Sequence, residues 1–369
     1  AAVYEQAGRF QAAKSLLQAV VETDERIFGS DHPTTLTDML ELANTYQKNG
    51  EMEDAERLHV AVLEGRSRVL GEVHPDSYRA MAYLALTYHE QCRYQEAMVL
   101  QVKVLEAAKE LLGPEARETL LSQLALATTY QSLGRLHEAE SLFVESVETQ
   151  KKTLGIRHPA TLMTMHNLAG VLELLDKVDD AEVIATEVLR TKRQIFGEDH
   201  PDTLSVLGII AGIKYRQRRY EEAAKIQEQL HETQRHTLGE LHPQTLCNRA
   251  NLACTYQSLG RLPEAENIHR QVLDARIRVR GREHFDVASS VNNLAMVYSS
   301  LGRQAEAEAM MVEELAIRSR NLSGNDILGT AALKSNLADL YVKQKQWKKA
   351  DVILREAVVA YMAIYGSEH

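Results

Sequence analysis

Fourteen histidines in a chain of 369 residues invite a metal-binding or proton-transfer reading, since imidazole is the commonest metal ligand and the side chain that titrates nearest neutrality. Their arrangement points elsewhere. Most that recur belong to a His-Pro dipeptide, at His32, His74, His158, His200 and His242. A His at the start of a helix can hydrogen-bond backbone groups there or pack on the Leu-Gly turn before it. There is no H-E-x-x-H, no G-x-x-x-x-G-K-[ST] and no G-x-S-x-G, and His231 and His236 of "HETQRH" are five apart, on different helix faces. Cys92, Cys247 and Cys254 are odd in number and show no C-x-x-C spacing, so neither a disulfide framework nor a zinc site is expected. Cys247 and Cys254 are two helical turns apart, about 10 Å, too far for a disulfide. The glutamates of E-A-E segments are spaced as a solvated helix face. The expectation is a chain without catalysis, metal or cofactor, in a reducing, cytoplasmic compartment.

Composition sets the same limits. Lys and Arg total 42 against 52 Asp and Glu, for a net charge of −10, which argues against a global footprint for nucleic acid or an anionic membrane. No apolar run of about 18 residues is present, and no signal peptide begins at Ala1, where the sequence reads as a chain entered mid-structure.

The elements that hold these residues come from a repeat. Successive His-Pro dipeptides are separated by 42, 84, 42 and 42 residues. The long gap hides a degenerate copy at "GPEARETL", with Ala116 and Arg117 in the His-Pro register. His284-Phe285 lies a further 42 residues on, and Asn293 and Asn336 match at a separation of 43. Copies therefore start at residues 32, 74, 116, 158, 200, 242, 284 and 327, after a partial copy over 1–31, and self-similarity at this period signals a solenoid. The expectation is one array over 1–369.

Each copy parses into two helices. The first has Pro at its N1 position, where a missing N–H costs nothing; from His32 to Gly50 it carries Leu36, Met39, Leu42, Ala43 and Tyr46 at helical spacing. A following Gly is able to take positive φ and end it. The second, from about Glu53 to Leu70, has Ala55, Leu58, Val62, Leu63 and Val69 on one side. A small residue recurs at Ala55, Ala97, Ala139, Ala181, Ala223, Ala265, Ala307 and Ala350, where helices must approach closely. One such pair has too little core to fold alone, so neighbours must stack. The expected fold is all-α, a right-handed superhelical solenoid of antiparallel helix pairs.

The small-x-x-Tyr near the end of the first helix, the Gly after it and the Ala of the second resemble tetratricopeptide repeats. The 42-residue length, L-G-x-x-H-P and N-L-A, as in "LGIRHPATLMTMHNLAGVLELLDKVDDAEVIATEVL", are similar to the kinesin-light-chain type. That resemblance implies protein or peptide recognition. Kinesin light chains hold cargo-adaptor peptides in the concave groove, and large fungal and some bacterial nucleotide-binding (NOD-like) receptors carry such repeats as a C-terminal sensor array. Thr-Leu after His-Pro, as at Thr161-Leu162, and the near-identity of distant copies resemble the receptor arrays more. A light chain's heptad coiled coil is absent from the sequence.

The resemblance carries the groove to positions 5, 8, 9 and 12 after the His register. In this sequence that selects Asn44, Arg79, Tyr83, His166, Asn167, Asn251, Asn292, Asn293, Asn336 and Asp339. An Asn amide offers donor and acceptor together, so it can pair with the backbone of an extended peptide; it can also cap or bridge neighbouring helices. Four Asn at the position of N-L-A favour the groove. The copy from His200 departs most, with Gly208 and Gly212 in place of larger groups and Arg216, Arg218 and Arg219 after them. That is either a roomy, basic pocket for an acidic or aromatic peptide side chain, with Arg216 in it, or a degenerate copy whose arginines sit at a solvated turn. The last second helix, around Trp347, is expected to expose an apolar face through which copies of the chain stack end to end.

Overall fold

The computed structural model describes residues 10–72, 74–282, 284–320 and 327–365, and among them every regular element is an α-helix. In chain order these are α1 (Phe10–Phe28), α2 (Pro33–Lys48), α3 (Met52–Leu70), α4 (Pro75–Glu90), α5 (Tyr94–Leu112), α6 (Arg117–Ser132), α7 (Leu136–Thr153), α8 (Pro159–Leu174), α9 (Val178–Phe196), α10 (Pro201–Arg216), α11 (Tyr220–Thr237), α12 (Pro243–Ser258), α13 (Leu262–Arg280), α14 (Phe285–Ser300), α15 (Gln304–Arg320), α16 (Ile327–Lys343) and α17 (Trp347–Tyr365). Each copy supplies one first helix and one second helix. The start of the partial copy (1–9), the segment leading into the last copy (321–326) and the closing residues (366–369) lie outside the described residues. The chain divides into two compact units, Ala1–Thr164 and Met165–His369.

The His of the repeat, before Pro or, at His284, before Phe285, is a helix cap. His32, His74, His200, His242 and His284 stand in extended backbone before their helices, and each accepts the N–H of the residue two further on. The Nδ1 to N distances run from 3.1 Å at His74 to 3.3 Å at His32, and His158 caps Ala160 at 3.2 Å. That satisfies one of the orphan donors of the first turn. In the copies from His74, His158 and His200 the Thr or Ser three residues after the His is fully buried and donates to the carbonyl of the preceding Gly, at 2.7 Å for Ser77 to Gly71, 2.9 Å for Thr161 to Gly155 and 2.8 Å for Thr203 to Gly197. In those three copies the His and the buried hydroxyl together fix both sides of the turn, and His32 and His200 also stack on Phe28 and Phe196.

"GRLPEAE", which begins at Gly260, works the same way at the other turn. Gly260 takes φ 76°, a region open to glycine at little cost. Arg261 then lies 3.8 Å from the centroid of Tyr256 and forks onto Glu264, and Ala265 is fully buried. Arg93, Arg135 and Arg303 repeat the stack on Tyr88, Tyr130 and Tyr298. The second Glu of E-A-E corrects the expectation of a purely solvated face. Arg93 reaches Glu56 of the preceding copy at 2.7 Å, and Arg303 reaches Glu266 at 3.0 Å, both on half-buried carboxylates.

The small-residue positions pack as the repeat requires: all but one of the eight alanines are 0% exposed, and Ala350 is 6%. In the first unit Leu17, Val21, Leu36, Met39, Leu42, Tyr46, Ala55 and Val62 form one cluster. In the second, Leu294, Tyr298, Ala307, Met311, Leu333 and Leu337 form another. Val69 is a correction, being exposed. The buried face of α3 is continued instead by His59, Gly65 and Arg66, because a helix of this length turns its last residues off the stripe. Charge is also buried where it is paired: the fully buried Glu314 accepts from Arg318 Nε at 2.8 Å and from Arg282.

Candidate functional site

In the first unit the selected residues are mostly engaged. The amide of Asn44 lies 3.3 Å from His59 Nε2, so it bridges α2 to α3. Tyr83 stacks on the same His59 ring, with centroids 6.0 Å apart. Arg79 is exposed and pairs along its own helix with Asp76 at 3.8 Å.

The second unit differs. The side-chain amides of Asn167, Asn251 and Asn293 make no hydrogen bond to any described residue, although all three share one register on α8, α12 and α14. Asn336 donates to Asn292 Oδ1 at 2.8 Å, tying α16 to α14 across the first-helix face. His166 is half-buried, its Nδ1 has no partner, and burial, helped by Lys192, holds its pKa down at about 4. It is a neutral ring at physiological pH.

An opening on this face lies between α10 and α12. It is a pocket of about 350 Å³ lined by Ser205, Gly208, Ile209 and Gly212 of α10 and by Gln244, Cys247, Asn248 and Asn251 of α12, with Leu230 and Gln234 of α11 and Glu173 of α8. Positions 5, 8, 9 and 12 of α10 all face it. The pocket is roomy, as the glycines suggest, but not basic. Its one charged lining side chain is Glu173, whose carboxyl burial pushes up against the pull of Arg216. Arg216 is exposed with Nε 3.8 Å from Glu173 Oε1, and it does not line the pocket. Arg218 holds the turn at φ 60°, and Arg219 forks onto Glu222. As to the two readings of this copy, the arginines lie at the helix end and turn, paired with Glu173 and Glu222 where they are paired, and the pocket beside them is lined by an acidic side chain and not by Arg216.

Glu173 and Gln234 were not among the residues the sequence selected. Gln234 was nevertheless legible. It stands 34 residues after its His, where other copies carry Arg66, Lys192, Arg276 and Arg318. Cys254 lies off the pocket, 3.9 Å from His269 Nε2, and burial raises its thiol to about 11. Among the described residues no group of three or more His, Cys, Asp or Glu is placed to hold a metal ion, and no helix is long and apolar enough to cross a membrane.

A tetratricopeptide-repeat family description matches residues 1–59, 37–110, 79–152, 118–194, 161–229, 202–278 and 256–320, and a second matches 330–369. The chain belongs to the tetratricopeptide-repeat family. No curated protein matches it. Among solved structures, this tetratricopeptide chain is similar to one described as kinesin light chain nearly identical TPR-like repeats of Podosopora anserina, at 29% identity over 56% of this chain and 98% of that one, TM-score 0.52. BtubC (BKLC) from P. vanneervenii matches at 23% identity over 63% and 92%, TM-score 0.50. A Rap protein complexed with Competence and Sporulation Factor matches at 11% identity over 98% and 96%, TM-score 0.61. The last two share the tetratricopeptide fold. The array is a repeat scaffold for protein interaction of the kinesin-light-chain-like kind.

Proposed function

We propose that residues 1–369 are one recognition array which holds an extended peptide or protein segment along the first-helix face of its second unit, without catalysis. The observation that carries this reading is the set of unpartnered amides at Asn167, Asn251 and Asn293. Each offers a donor and an acceptor at one register, which suits a peptide backbone whatever its side chains. His166, Asn292 and Asn336 flank that ladder, whereas in the first unit Asn44 and Tyr83 contact His59 and Arg79 pairs with Asp76. Capture of partners by the wild type and by the triple variant Asn167→Ala, Asn251→Ala, Asn293→Ala tests it; equal capture by both sinks the groove.

The setting we infer is the ligand-sensing region of a cytoplasmic nucleotide-binding receptor, supported by the Thr-Leu after His-Pro and by the likeness among copies. A P-loop ATPase module encoded upstream in the same reading frame is the expected finding; a long heptad segment there favours a cargo adaptor. End-to-end self-association belongs to the same reading. The face of α17 exposes Trp347, Val352, Leu354, Val358 and Val359, an apolar strip of the sort that pairs. A strictly monomeric mass by light scattering at high concentration removes that element.

A further inference from the structure

Three copies carry a cation of their own beneath the first-helix face. Arg66 Nη1 donates to Asp76 O at 3.0 Å, Lys192 Nζ to Asp202 O at 3.2 Å and Arg276 Nη1 to Asp286 O at 3.0 Å. In each case the acceptor is the second residue after the next copy's His. Arg276 also donates to Ser290, the sixth residue, at 2.9 Å. All three cations are nine-tenths buried.

The copy from His200 has the site without the cation. Gln234 occupies the register, is 6% exposed, and its Oε1 has no hydrogen-bond partner. The facing second and sixth residues are Gln244 and Asn248, and all three line the 350 Å³ pocket. Asn248 gives its NH2 to Gln227 O at 2.9 Å, which leaves its amide oxygen as the uncommitted atom. A buried acceptor without a donor is costly, so an occupant that supplies donors is favoured. Gln150 shares the register and an unpartnered oxygen, but Leu124 and Thr128 stand where Gly208 and Gly212 leave space.

The two glycines do different things. A Cβ at residue 212 would fall 2.8 Å from Glu173 Oε1, so glycine there lets the carboxylate lie against α10. A Cβ at residue 208 would meet only Leu230 Cδ2, at an ordinary 3.9 Å. The fold accommodates a side chain at 208, and its absence keeps the pocket open.

We propose that this pocket receives a lysine or arginine side chain of the bound peptide, the partner's cation taking the acceptors that sister copies satisfy with their own and Glu173 supplying the opposing charge. The inference rests on the first-helix face being the peptide groove. Arg216 uses one oxygen of Glu173 at 3.8 Å, and a carboxylate has acceptor capacity for both. The chain's net charge of −10 adds a favourable background for a cationic partner.

The probes are acetyl-Ala-Ala-Lys-Ala-Ala-amide and the same peptide with norleucine, which keeps the aliphatic stem and removes the charge. The readout is the rate of iodoacetamide labelling at Cys247, which is exposed and lines the pocket, with exposed Cys92 as internal reference. The lysine peptide should slow labelling at Cys247 alone and the norleucine peptide should not. Glu173→Gln should weaken protection about tenfold, the loss of one charge-assisted contact. Gln234→Arg, which installs the cation of the sister copies, should abolish it. Gly208→Leu gives a second block should Gln234→Arg fail to fold by circular dichroism. Equal protection by both peptides, none by either at millimolar concentration, or full protection in the correctly folded blocking variant overturns the pocket. Equal protection by both peptides that is lost in the triple Asn variant would retain the groove while removing the cation site.

Discussion

Lowering the pH from 7.5 to 5 should loosen α3 and its neighbours, and replacing His59 by Gln should remove that sensitivity. His59 is fully buried between α2 and α4, with Nδ1 2.8 Å from Thr87 Oγ1. Nε2 lies 3.3 Å from the acceptor Asn44 Oδ1, and the neutral imidazole carries its one proton on one of these two nitrogens, leaving the other bare. Protonating it places a full charge in a site without solvent, and burial lowers the pKa from 6.5 to about 4. The folded pKa is depressed, so this stability is complete above 6.5 and is lost as the pH falls toward 4, while the unfolded chain takes up a proton that the folded chain refuses. The loss is about 1.4 kcal/mol per pH unit, or roughly 2 kcal/mol by pH 5. The repeat itself supplies the conservative substitute. Gln101 and Gln227 occupy the same register, and Gln227 Oε1 accepts from Thr255, the counterpart of Thr87, at 2.7 Å. Stacked repeats do not melt as one unit, so the assay is amide hydrogen exchange of α3 and α4 peptides, corrected for intrinsic rate, beside an NMR titration of the His59 ring. A ring that titrates near 6.5, or wild type and His59→Gln losing protection in parallel, refutes the argument.

Three further outcomes follow from the packing. Arg218→Gly should stabilise the second unit by about 1 kcal/mol in urea unfolding, since a non-glycine residue at φ 60° is strained; it should leave peptide capture unchanged. Ala265→Leu should cost about 1–3 kcal/mol by overpacking a fully buried contact, seen as a lower urea midpoint. Iodoacetamide should modify Cys92 and Cys247 well before Cys254, whose buried thiol lies near 11, as read by peptide mapping at pH 8.

The helix pairs, their turns and the close-packed alanines were legible because each is dictated by local chemistry repeated eight times. His-Pro states a cap, Gly a left-handed turn, and Ala a close approach, and agreement among copies removes the ambiguity that a single segment would leave. The site was less legible because it depends on residues brought together from different copies. Asn44 and Asn251 look alike in one dimension. Only packing shows that His59 engages the first, while the second faces an open pocket. The choice between the two readings of Arg216–Arg219 needed packing for the same reason. Charge along a sequence says nothing of which carboxylates the fold sets beside it, and Glu173 and Glu222 come from flanking helices.

The arginine after the residue that ends the first helix, Arg93 after Cys92 and Arg303 after Gly302, touches three things at once: the Tyr of its own copy, the Glu three residues on and a Glu of the copy before. These two seams share Tyr, Arg and the two Glu. A duplication or deletion of 42 residues therefore adds or removes a copy whose two edges already fit their new neighbours. Recombination between near-identical copies can lengthen or shorten such an array without a broken joint, and can carry a pocket-bearing copy to a new place in the row as a tile.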